Sequence, residues 1–275
     1  MNHPDTVVSV WPDILFAAMT NENRDEYWEA LKLGTAAEKL AALRELEETA
    51  KKIREHTEPE LFAFHNAVIP EKLKPWREFR GVVGFPVFNI MLELAQSDAH
   101  HGLRDLAADI LAHLWHPAAV DRLVVDIKRN SKTLRPSQIS GIFINLGGIG
   151  NEPAVRALIS LWRHRWKFHI PAALAACDSK TAESFLMTHA RKAKDPNVRA
   201  SCLFALNSEV SDRKISLLLE RLEHGGHFEQ AAAITKIKDI GLASLVPALK
   251  AISSKSKDPI LKDHIAQALR KMRMR

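Results

Sequence analysis

The chain has 275 residues, 46% of them hydrophobic and 26% charged, which is enough to bury a core and too apolar for disorder across its bulk. Eleven glycines and 13 prolines exclude a collagen-like or linker-dominated architecture, and Pro86, Asn89 and Glu93 interrupt the greasiest stretch before it reaches the roughly 18 residues that cross a membrane. The net charge of +6 is unevenly placed: residues 1–97 hold 11 basic and 16 acidic side chains, the remainder 28 and 17. A basic segment of this kind attracts acidic proteins or polyanions, or docks against the acidic segment of its own chain. Met1 to Asp5 carry Pro and Asp where a secretory signal needs a basic start and an apolar run. With only Cys177 and Cys202, which read as small core residues in a reducing compartment, a cytoplasmic location is expected.

In chain order, residues 13–33 and 35–56 read as helices, the second opening with Thr35 and, three positions on, Glu38, a capping-box pattern ahead of the stripe Leu40, Leu43, Leu46 and Ile53. Residues 60–68 suggest a short third helix. Pro70, Pro75, Gly81 and Gly84 mark residues 69–84 as a loop or strap, and helix returns over 85–96. No repeat register is visible here, so residues 1–97 read as a helical N-terminal cap region.

From residue 98 an internal period appears. Apolar pairs three residues apart recur at Leu111/Leu114, Phe143/Leu146, Ala173/Ala176, Leu203/Leu206, Ile234/Ile237 and Ala266/Leu269, and their second members are 32, 30, 30, 31 and 32 residues apart. A turn-like stretch follows each of the first five, for example Gly147-Gly148-Ile149-Gly150-Asn151. A second amphipathic stripe then begins, as in Val155, Leu158, Ile159, Trp162 and in Ile215, Leu218, Leu219, Leu222. Arg135-Pro136, Asp195-Pro196 and Asp258-Pro259 start their first helices at one common offset with Pro near N1. The expectation is five to six antiparallel helix pairs over residues 98–275, stacked because none can bury its apolar face alone.

The run Asn145-Leu-Gly-Gly-Ile-Gly-Asn-Glu-Pro-Ala-Val-Arg-Ala-Leu158 resembles the HEAT-like repeats of the phycobilisome-lyase type. Asp195 to Leu206 is similar to the first helix of such a unit, and Ile237 to Leu249 to its turn and second helix. The resemblance implies an all-α fold, an armadillo-like right-handed superhelix of helix pairs, over roughly residues 98–275. It says little about activity, because such repeats serve lyases, adaptors, inhibitors and nucleic-acid enzymes.

Basic residues gather where the second helices end: Lys128, Arg129 and Lys132; Arg163, Arg165 and Lys167; Arg191, Lys192 and Lys194; Arg221 with His224; Lys250, Lys255 and Lys257. Equivalent positions stack in a solenoid, so these predict a positive ridge along one edge. The helix macrodipole stabilises a cation at a C-terminus by about 0.3–1 kcal/mol without any ligand, which accounts for one per helix more readily than three. Within the ridge, Trp162 falls on the core stripe while Trp166 sits at an inter-unit turn among arginines, a pattern suited to an interface or to base stacking. The partner-binding candidates are Lys128, Arg129, Arg163, Arg165, Trp166, Lys167, Arg191, Lys192 and Arg221.

Other chemistry finds little support. Asp109, His113 and His116 share a helical face near His100 and His101, but the segment ends a helix, where His is common, and a structural role is preferred to a metal site. His224 and His227 flank a turn without a third ligand. No His-Glu dipeptide occurs, which removes HExxH metalloproteases and di-iron HEAT-like hydroxylases. The glycines at 147–150 lack the Gly-Lys-Ser/Thr ending of a phosphate loop, and neither cysteine has a positioned base. The expected function is therefore that of a protein-binding module without catalysis or cofactor, with an acidic protein as partner and inhibition of a toxin or enzyme, as by an immunity protein, as a concrete role. The alternative is nucleic-acid work in the manner of HEAT-like alkylpurine DNA glycosylases, with Trp115 and Asp121 loosely matching their Trp and Asp; the acidic first third argues against it. A bilin-lyase role is implied by the repeat's name alone, and no residue supports a bilin pocket.

Overall fold

A computed structural model describes residues 21–62, 74–97, 100–130, 132–163, 167–177 and 179–273. Among them the fold is all-α, with 15 α-helices, three short 3-10 turns and no strand. Two compact units are distinguished, one drawn from Met1–Pro59 and Lys72–Arg122, the other from Glu60–Glu71 and Leu123–Arg275.

The first unit holds α1 (Asn21–Leu33), α2 (Ala36–Phe62) as far as Pro59, α3 (Pro75–Val83), α4 (Phe85–Gln96) and α5 (His101–His113). The capping box is formed as the sequence requires: Glu38 N donates to Thr35 Oγ1 at 3.3 Å and Thr35 N to Glu38 Oε2 at 2.6 Å. Leu43, Leu46 and Ile53 of the predicted stripe are fully buried. Two expectations are corrected here. Helix α2 continues to Phe62, absorbing the start of the expected third helix, whose residues 63–68 lie outside the described residues. The expected loop over 69–84 contains α3: Pro75 occupies its first turn, where a missing N–H costs nothing, Phe79, Val82 and Val83 are buried, and the helix stops at Gly84. Residues 69–73 lie outside the described residues.

The second unit continues from α6 (Val120–Asn130) through α7 (Pro136–Ile149), α8 (Glu152–Ser160), α9 (Ile170–Ala175), α10 (Lys180–Lys192), α11 (Pro196–Ala205), α12 (Asp212–His224), α13 (His227–Ile240), α14 (Val246–Lys255) and α15 (Pro259–Arg273). Successive helices reverse direction, and the first helix of each pair packs on the first helix of the next: α7 on α9, α9 on α11, α11 on α13, α13 on α15. The second helices α8, α10, α12 and α14 form a looser parallel layer beside them. Caps set the starts. Asn151, Ser179, Asp195 and Ser211 accept backbone N–H groups at the N-termini of α8, α10, α11 and α12, and Asp258 does the same for α15.

The repeated apolar pairs form the core. Phe143, Leu146, Leu203, Leu206, Ile234 and Ile237 are each at most 2% exposed. The last pair departs from the pattern: Ala266 is exposed, and α15 buries Leu261, Ile265 and Ala268 instead, a stripe spaced i, i+4, i+7. Between α7 and α9 the backbones come so close that a Cβ on Gly147 would lie 2.8 Å from the Ala173 carbonyl oxygen. Gly150 ends α7 at φ 62, in the left-handed region open to glycine. We expect Gly147→Ala to lower stability by about 1–3 kcal/mol, since the intruding atom meets backbone rather than a movable side chain; urea unfolding followed by far-UV circular dichroism measures it.

Candidate functional site

Because the pairs are antiparallel, each second helix ends on the edge where the next first helix begins, and contacts within the second unit show that equivalent ends coincide. Glu152 at the start of α8 accepts hydrogen bonds from Ser179 and Thr181 at the start of α10, both at 3.1 Å. Arg191 near the end of α10 meets Glu220 in the last half of α12 at 3.0 Å. On that same edge His227, which opens α13, lies 2.8 Å from Asp258, which opens α15.

This edge is held by a continuous ionic network. Arg199 of α11 grips Glu229 of α13 with two parallel bonds, Nε to Oε1 at 2.8 Å and Nη2 to Oε2 at 2.9 Å, while its Nη1 donates to the Ala193 and Lys194 carbonyls beyond the end of α10. Arg221 of α12 donates to Glu229 Oε1 at 3.2 Å and also to Glu220, which in turn meets Arg191. Four consecutive helices are thereby joined. Burial works to raise the Glu229 pKa, but hydrogen bonds from Arg199, the Gly226 amide and Arg221 outweigh it and hold the carboxyl below its ordinary 4.5; Glu220 is lowered likewise against its burial, by Arg221 and Arg191.

The predicted candidates fare differently. The structure brings Arg191, Lys192 and Arg221 to one edge. Arg221 is turned inward, its side chain 14% exposed, and its charge is engaged by Glu220 and Glu229. Arg191 is exposed but paired, whereas Lys192 is exposed and meets no partner among the described residues. Lys128 and Arg129 are exposed in the last turn of α6, and Arg163 is exposed just past α8. Lys167 stands over the Phe168 ring at 5.5 Å. Arg165 and Trp166 lie outside the described residues. Trp162 is half-buried rather than fully so, its ring against Phe185 at 5.0 Å and His189 at 4.4 Å on α10.

Sequence reasoning missed two features. Exposed apolar side chains share this edge: Phe168 before α9, and Phe228 and Ile260 at matching positions in the first turns of α13 and α15. At the opposite ends of the same helices, Lys214 of α12 is 1% exposed and meets Glu183 of α10 at 2.6 Å, with Asn207 and the Glu209 carbonyl completing its shell. Helices α10 and α12 are thus pinned near both ends, and between them runs a cleft of about 550 Å³. The signal for Lys214 was only partly available in the spacing, since counted from their caps Glu183 is the fourth residue of α10 and Lys214 the third of α12.

Elsewhere the side chains serve packing. His116 Nδ1 accepts the Ala118 N–H at 3.2 Å, capping a 3-10 turn, and its ring packs edge-on to Trp76 and Phe88. Asp109 faces Arg122. Among the described residues no group of three His, Cys, Asp or Glu side chains is placed to hold a metal ion. Trp115 is 3% exposed with the Arg54 guanidinium 4.7 Å from its ring, so it offers no face to a base. Burial pushes the Cys202 thiol up to about 12, which keeps it protonated and poorly nucleophilic at neutral pH. No described helix is long and apolar enough to cross a membrane. For the network, Glu229→Ala is expected to cost about 3–5 kcal/mol by leaving the Arg199 guanidinium without a carboxylate and Arg221 with Glu220 alone, against less than about 1 kcal/mol for the exposed Arg191→Ala. Because Glu229 is held below its ordinary pKa, its contribution is full above pH 4.5 and is lost as pH falls through the lowered value; wild type should therefore shed more stability in that range than Glu229→Gln, which keeps only the loss due to Glu220 and the other lowered carboxylates. Urea titrations at several acid pH values test both.

No protein-family model and no curated protein matches the sequence. Among solved structures, YibA of Escherichia coli is similar with a TM-score of 0.40 and 15% identity, over 95% of this chain and 94% of that one. Human deoxyhypusine hydroxylase, solved in complex with glycerol, is similar with a TM-score of 0.25 and 14% identity, over 84% of this chain and 98% of that one.

Proposed function

We propose that this HEAT-like helical repeat protein is a binding module without catalytic chemistry, which acts by occupying an acidic protein partner along the edge where its second helices end. The observation that carries the reading is the mixture found there. Phe168, Phe228 and Ile260 at the starts of first helices, and Arg163, Lys192 and Lys255 at the ends of second helices, are all exposed, a combination of apolar anchors and cations that suits a desolvated protein interface. Carboxylates are interleaved with the cations, Glu220, Glu223 and Asp258 among them, which weakens the edge as a track for phosphates. Burial of Trp115 removes the aromatic side chain on which the glycosylase alternative leaned. Occupation of an acidic surface is also how a small solenoid would inhibit a toxin or enzyme, and an immunity-type role is the concrete form of the proposal.

Affinity capture from the source organism with the full chain should recover a stoichiometric acidic protein. Its recovery should fall about tenfold with the double variant Lys192→Glu/Phe228→Asp and decline above roughly 0.5 M salt, where exposed charges are screened. If the partner is a toxin or enzyme, its activity should drop in the complex. Duplex DNA binding with a steep log–log salt dependence, and no recovered protein, would overturn the proposal.

A further inference from the structure

The cleft between α10 and α12 has a composition that dipole complementarity does not explain. Five cations line it, Lys180, Arg191, Lys192, Arg213 and Lys214, against two carboxylates, Glu183 and Glu209. Arg191 and Lys214 are neutralised by Glu220 and Glu183 across the cleft. Lys180, Lys192 and Arg213 are exposed and paired with no described residue. Lys192 ends its helix and is favoured there. Lys180 and Arg213, however, occupy the first turns of α10 and α12, at the positive ends of both macrodipoles, where each cation is disfavoured by about 0.3–1 kcal/mol. Two unpaired cations kept at adverse positions, opening into one groove, mark a place where an anion is expected.

The spacing of these charges selects the kind of anion. Lys180 and Lys192 are twelve residues apart on one helix, hence about 18 Å along its axis. Between them Met187 lines the same wall, and Val210, which is 50% exposed, lines the groove from the segment leading into α12, at the Lys180 end. A single phosphate or small carboxylate cannot reach both ends. An extended chain advances about 3.3 Å per residue, so five or six residues span the distance and can place an apolar side chain on the middle. We propose that this cleft receives an extended acidic segment of the protein partner, with carboxylates at Lys180/Arg213 and at Lys192 and an apolar residue between them against Met187. The proposal rests on the protein-binding reading above and adds the subsite and the chemistry it selects.

The test is selection of random ten-residue peptides displayed on phage against the full chain. The recovered pool should be enriched in Asp and Glu flanking an apolar residue, and individual peptides should bind Lys180→Glu/Arg213→Glu about tenfold more weakly while binding Phe228→Asp as they bind wild type. Both altered residues are exposed, so folding is expected to persist, and circular dichroism checks it. A pool without acidic enrichment, or acidic peptides that bind the double variant as tightly as wild type, overturns the cleft proposal even where partner capture succeeds through the Phe228 edge. Capture of a single-stranded DNA oligonucleotide in place of peptides, lost in the double variant, would overturn it in favour of nucleic acid.

Discussion

Helices of six to 15 residues in the second unit carry apolar faces that no single pair can remove from water, and this constraint governs the remaining architecture. Each pair is stable because its neighbour covers it. The first helices satisfy the demand closely, to the point where Gly147 admits no side chain against α9. The second helices satisfy it more loosely and make up the difference with polar bonds between equivalent ends: Glu152 with Ser179 and Thr181, Glu183 with Lys214, Arg191 with Glu220. A tight apolar layer thus carries a more open polar one, and the open layer is where a cleft can exist.

That division separates two uses of charge which look alike in composition. Arg199, Arg221 and Lys214 are engaged by carboxylates of adjoining helices and tie those helices together. Lys180, Lys192 and Arg213 neutralise nothing among the described residues. Net charge counted along the chain merges the two groups, so the basic character of the second unit overstates the cations open to a partner.

The same distinction explains what could be read from sequence. Caps are local, and they were legible: Thr35 with Glu38, Asp195 and Asp258 before their prolines. The turns were placed too early, since Gly147 to Ile149 of the expected turn continue α7 and Lys238 to Ile240 continue α13, each helix stopping only at the left-handed glycine, Gly150 or Gly241. The helix over 75–83 was not legible, because Pro75 and Gly84 punctuate a loop and delimit a short helix with equal ease, and only packing of Phe79 and Val82 decides between them. Ala266 was assigned to the core by spacing alone, whereas burial on α13 and α14 selected the adjacent Ile265. The ridge was predicted from cations at helix ends, and Arg221 satisfied that pattern while pointing inward, since its partner Glu229 lies on a different helix. The cleft went unseen because its walls come from separate repeats and its telling residues stand at helix starts, outside the pattern sought.

The two cysteines carry a last consequence. Cys202 is wholly enclosed and Cys177 is 6% exposed, with its sulfur directed to the Ala173 carbonyl at 3.3 Å. These are the chain's only thiols, so the folded surface is nearly silent toward maleimides and mild oxidants. A reporter cysteine introduced on either rim would therefore be modified selectively, and dyes or spin labels could follow the breathing of the groove without altering the native pair.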